Sequence, residues 1–189
     1  MTTLAALWLP ILLSAVFVFV VSSVIHMVLP LHRKDFGGVP DEAAVRAALR
    51  AAEIPPGQYM IPHAGSMQAA STPEFLAKMK EGPVATMIVR PAGPWSLGPA
   101  LGKWFVYTLI VGVFCAYVAG LGHAPGANAM TIFRVTGAVA FVAHVFSHVH
   151  EWTWKGLGTD VLVRFAVDGV IYTLVTAATF AWLWPGAPA

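Results

Sequence analysis

Four long apolar runs constrain this chain more than any other feature. They extend from about Leu4 to Leu29, Leu101 to Leu121, Thr131 to His150 and Val161 to Trp184. A hydrocarbon core of ~30 Å takes about 20 helical residues to cross, and each run is long enough. Inside hydrocarbon every backbone N–H and C=O must be paired within its own segment, so these runs predict helices rather than open strands. Composition agrees. Of the 189 residues, 58% are hydrophobic and 11% charged, against roughly 25% charged in an ordinary soluble domain.

The first run is not patterned as a cleaved signal peptide. Met1 to Leu7 holds no Lys or Arg, and the apolar stretch is far longer than the about 7–15 residues of a signal core. It reads as a retained helix, stopped by Pro30 and the polar run His32, Arg33, Lys34, Asp35.

Orientation follows from where the cations sit. Arg33, Lys34, Arg46, Arg50, Lys78, Lys80, Arg90 and Lys103 lie between or beside the first two spans, and Lys155 and Arg164 flank the loop before the fourth. The opposite side has only Arg134. Both termini are therefore expected outside, with residues 31–100 in the cytoplasm. Tryptophans at both interfaces, Trp8, Trp182 and Trp184 outside and Trp95, Trp104, Trp152 and Trp154 inside, fit the same placement. The expected organisation is residues 1–30 as the first span, 31–100 as an insert and 101–189 as spans two to four. The fold class is an all-α membrane protein, a four-helix transmembrane bundle with a small α+β cytoplasmic insert between helices 1 and 2.

Within the insert, Pro40, Asp41 and Glu42 open a helix, proline and acids suiting a helix start. Val45, Leu49 and Ala52 then recur at helical spacing until Pro55, Pro56 and Gly57 end it. Thr72, Pro73 and Glu74 open a second helix that Gly82 and Pro83 close. Gln58–Ile61 and Val84–Val89 suit strands. Under 70 residues the core is marginal alone, so the insert is expected to rest on the bundle or on a partner.

Ionisable groups inside a membrane are costly and mark candidate sites. His144, His148 and Glu151 share one stripe if the third span is a continuous helix. Two imidazoles one turn apart with a carboxylate form a metal-ligand set, and His26 on the first span completes a tetrahedral one. A haem between His26 and His144 is the alternative cofactor. Histidines near a helix end also serve simply as interfacial residues bonded to carbonyls, which implies no metal and no cofactor. Arg164 and Asp168, one turn apart, are expected to pair locally. Otherwise Asp168 faces the histidines as a proton or ion site. Arg134 is expected to snorkel to headgroups.

Gly112, Ala116 and Gly120 make a small-residue face that lets helices approach closely. The single cysteine, Cys115, excludes an intrachain disulfide or a CxxC site. HExxH, GxSxG and the glycine-rich phosphate loop are all absent. The net charge of +2 gives no basis for a nucleic-acid partner.

LPILLSAVFVFVVSS, HRKDFGGVPDE, PPGQYM and VDGVIYTLVTAATFAWLWP together resemble a family of small four-span bacterial inner-membrane proteins. The resemblance implies that membrane and supplies no activity or site residue.

The sequence alone thus favours a non-catalytic accessory or scaffold subunit, in contact with the lipid bilayer and with a larger membrane protein or further copies of itself. The rivals are a metal- or haem-binding redox protein and a small proton-coupled transporter around Asp168. The missing motifs weigh against an enzyme.

Overall fold

The structure, a computed structural model, describes residues 1–186. Four helical segments are long and apolar enough to cross a membrane: Leu4–Val28, Gly98–Gly122, Ala129–Lys155 and Thr159–Trp182. The chain divides into two units, one containing Met1–Phe36 together with the chain from Ser96 onward, the other Gly37–Trp95. The segment Leu31–Phe36, which sequence reasoning placed in the insert, thus groups with the long helices and brings His32 and Asp35 with it.

In the first unit, helix α1 (Trp8–Ser23) is preceded by a tight turn at Leu4–Leu7, where the Thr3 hydroxyl accepts from the Ala6 N–H. It is followed by a π-helical turn, Val24–Val28, in which the Leu29 N–H donates to the Val24 carbonyl at 3.1 Å. Such π turns are rare and recur at functional sites. Here the turn carries His26. Leu29 is then extended, and Pro30, which lacks an N–H to continue the helix, opens a short 3-10 turn to His32.

The insert follows the expected order. Helix α2 (Glu42–Ala51) starts where the Asp41 carboxylate accepts from the Ala44 N–H at 2.9 Å. Strand β1 (Gly57–Ile61) comes next, then α3 (Pro73–Glu81), capped by the Thr72 hydroxyl on the Phe75 N–H. Strand β2 (Ala85–Val89) pairs antiparallel with β1, Gly57 opposite Val89 and Ile61 opposite Ala85.

The bundle is completed by α4 (Gly98–Gly122), α5 (Ala129–Val145), α6 (Val149–Lys155) and α7 (Thr159–Trp182). Leu7, Cys115, Ala116, Ala119, Ile132, Ala140 and Phe180 form its dry centre, all with no solvent exposure. Of the small-residue face, a Cβ on Gly112 would stand 3.2 Å from the Ile11 carbonyl oxygen, and one on Gly120 would stand 2.5 Å from that of Thr2. The face is spent on packing α4 against the first span. Threonines inside the bundle bond their own helix: Thr173, Thr176 and Thr179 each donate to the carbonyl four residues back.

The third span departs from the expected continuous helix. It breaks between Val145 and Val149. At the break the Ser147 hydroxyl donates to the His144 carbonyl at 2.8 Å. The break cancels the stripe on which His144, His148 and Glu151 were aligned.

Candidate metal centre

The C-terminal ends of the first span and α5 meet the N-terminal ends of α4 and α7 around one cavity of about 530 Å³. Its walls include His26 from the π turn, Trp104 and Tyr107 from α4, His144 and His148 from the third span, and Phe165, Asp168 and Tyr172 from α7. Gly169 makes the meeting of α5 and α7 possible. A Cβ there would lie 2.8 Å from the backbone of His144 and Val145, so the two helices touch at the residue that lines the cavity.

Behind the cavity runs a chain of polar contacts that links α7 to the segment following the first long helix. The Arg164 Nε donates to Asp35 Oδ1 at 2.7 Å, and its second nitrogen donates to Asp160 at 2.8 Å. Arg164 therefore does not pair with Asp168. Burial pushes the Asp35 carboxyl up, but hydrogen bonds from His32 and Arg164 outweigh that and hold it below the usual carboxylate range. Ionised, Asp35 only accepts. The His32 Nδ1, 2.6 Å from Asp35 Oδ2, thus carries the proton. In a neutral imidazole this leaves Nε2 with a free lone pair aimed the other way.

Two further potential ligand atoms converge on that nitrogen. His32 Nε2 lies 2.9 Å from Asp168 Oδ2, and His26 Nε2 lies 3.4 Å from the same oxygen. The two imidazoles overlap, ring centres 4.2 Å apart. One ligand atom from each of His26, His32 and Asp168 falls within 4.8 Å of the others. His32 Nε2 and Asp168 Oδ2 are close enough for a hydrogen bond but misaligned for one, and both are buried without a partner. Metal–ligand bonds of about 2.0–2.2 Å in a tetrahedral shell place neighbouring donors about 3.3–3.6 Å apart. The His26–Asp168 spacing falls in that range, and the His32–Asp168 spacing is shorter.

The charges point the same way. Asp35 and Asp168 are buried, with side chains 5% and 3% exposed. One guanidinium, Arg164, serves Asp35 and the exposed Asp160. No Lys or Arg pairs with Asp168 among the described residues; its charged contacts are His26 and His32, ion-pair partners where protonated and fellow ligands where a bound cation supplies the balancing charge.

The residues expected from sequence are distributed unevenly. His26 and Asp168 belong to the converging set. His144 and His148 line the same cavity outside that set, His148 stacked on Phe165 with ring centres 4.1 Å apart. Glu151 is elsewhere, paired with Lys155 at 3.3 Å. Arg134 is exposed and has no salt bridge among the described residues. Sequence reasoning missed His32 and Asp35. Their signal was present in His26, Pro30 and His32, two histidines flanking a proline, but that polar run was read only as the end of a span.

No family model matches the chain, and neither a curated protein nor a solved structure does.

Proposed function

We propose that this is a multi-pass membrane protein that binds a first-row divalent transition-metal ion through His26, His32 and Asp168. The observation that carries the reading is the orphaned pair, His32 Nε2 and Asp168 Oδ2, held 2.9 Å apart without a hydrogen bond while Asp35 fixes the other nitrogen of the ring. A carboxylate behind a metal-bound histidine is the usual outer-shell support. Two imidazoles and a carboxylate suit zinc or iron rather than calcium or magnesium. Three protein donors leave a coordination position open on the cavity side, as in sites that act on a bound water or substrate.

His26 closes the set on the exposed side. Its contact with the Tyr172 hydroxyl is 3.3 Å, long for a hydroxyl bond, so a cation competes with it easily. The haem alternative has less support, since His26 Nε2 turns toward Asp168 and Tyr172. The accessory-subunit reading loses one motive, because Gly112 and Gly120 pack inside the bundle. By the cation bias, the metal end of the bundle faces the cytoplasm and both termini face the other side of the membrane.

The test is titration of Co²⁺ into chelator-treated protein in mild detergent. One saturable site with the visible d–d bands of a four- or five-coordinate N/O shell is expected. A featureless spectrum at every cobalt concentration would refute the assignment.

A further inference from the structure

The metal set uses one corner of the cavity and leaves His144 unexplained. His144 is 4% exposed, and neither of its ring nitrogens has a hydrogen-bond partner. Three aromatic rings surround it: Tyr172 at 5.6 Å, Tyr107 at 5.8 Å and Trp104 at 6.3 Å between centres. None of the three supplies a hydrogen bond. The Trp104 N–H donates to the Ser22 hydroxyl, the Tyr107 hydroxyl to the Ala143 carbonyl, and the Tyr172 hydroxyl lies against His26. Buried polar groups in native proteins almost always have partners. The imidazole lines the cavity with both nitrogens enclosed and its neighbours' polar atoms committed elsewhere, so a partner in the cavity reaches one of them by turning the ring.

We infer that the cavity binds a flat, lipid-soluble ring bearing a carbonyl or hydroxyl oxygen, the chemistry of a quinone, with that oxygen hydrogen-bonded to His144. The space, about 530 Å³, falls within the range of small-molecule sites, which are apolar with a few placed polar groups. Trp104, Tyr107, Phe165 and Tyr172 line the cavity and give it an aromatic wall against which another ring can pack. A bare acyl chain fills the volume and leaves His144 unpaired. An anion is disfavoured by Asp168. Exposed Met27 and Ala100, at the ends of the first two long helices, mark the mouth of the cavity and give a tail its way out. The inference stands on His144 and the aromatic wall, not on the metal, although the two sites share the cavity.

The experiment uses the full chain in detergent, with and without chelator, and decylubiquinone as the probe. Trp104 is the tryptophan in the wall, so a bound quinone quenches it. Saturable quenching at one site is expected, lost in Trp104→Phe. His144→Phe should weaken binding about tenfold to a hundredfold, the cost of an unmet buried hydrogen bond, while His144→Gln, which keeps a donor, stays within about threefold. Quenching that rises linearly with the quinone-to-detergent ratio means partitioning alone and overturns the inference. So does a saturable quench that survives Trp104→Phe, or a folded His144→Phe that binds like wild type. If His144→Phe loses its melting transition, Trp104→Phe and the shape of the wild-type curve decide. Binding that persists after chelation with no metal found separates this site from the metal proposal.

Discussion

The two ends of the bundle are built from similar residues and solve the problem of buried polar groups differently. At the end holding the N-terminus, each such group has a partner. The Thr2 hydroxyl donates to the His123 carbonyl at 2.8 Å, the Trp184 indole to the Ala124 carbonyl at 3.0 Å, and the Gly126 N–H to the Pro185 carbonyl at 2.7 Å. At the other end lie all the buried side-chain atoms without partners among the described residues: His32 Nε2, Asp168 Oδ2 and both nitrogens of His144. Polar groups left unmet cost stability. Their gathering at one end around one cavity marks that end as the working part and the other as structural.

The comparison breaks most sharply at Asp168. Asp168→Ala removes the oxygen shared by both histidines, and cobalt binding should fall to background in the titration while the opposite end keeps its hydrogen bonds. Asp35→Asn acts one step back. It unpins His32 and should weaken metal affinity about tenfold to a hundredfold, as loss of an outer-shell partner does, measured by competition with a chelator of known affinity. Gly120→Ala probes the other end. Its Cβ would meet the Thr2 carbonyl oxygen at 2.5 Å, so thermal unfolding in detergent should show a loss of about 1–3 kcal/mol from overpacking, with metal stoichiometry unchanged. The smallest effect belongs to Glu151→Gln. Its carboxylate is 39% exposed beside Lys155, so removal should cost no more than about 0.5 kcal/mol and leave cobalt affinity alone. A large loss of affinity there would restore Glu151 as a ligand and undo the distinction drawn from the broken third span.

Much of the fold was legible because bilayer thickness and backbone pairing leave few choices for a long apolar run. The insert was legible for local reasons, Asp41 and Thr72 capping helices and prolines ending them. The site was legible only in part. His26, His144, His148 and Asp168 stood out as polar groups in apolar runs. His32 did not, because its importance comes from the π turn at Val24–Val28 and the fold-back after Pro30, neither of which periodicity reveals. Glu151 was misaligned because the helix breaks between Val145 and Val149, shifting the phase of all that follows. Arg164 had two acids at the same spacing, Asp160 and Asp168, and sequence gave no reason to favour the first. Asp35, which claims the other side of the guanidinium, lies too far away in sequence for any local rule to find.

Metal content of the purified chain tests the central claim most directly. Wild type and His32→Ala, equilibrated side by side with zinc and then freed of unbound metal, are compared by elemental analysis. The account predicts about one ion per wild-type chain in a three-donor site and near-background metal in the variant. Equal metal in both, or none in either, would contradict it.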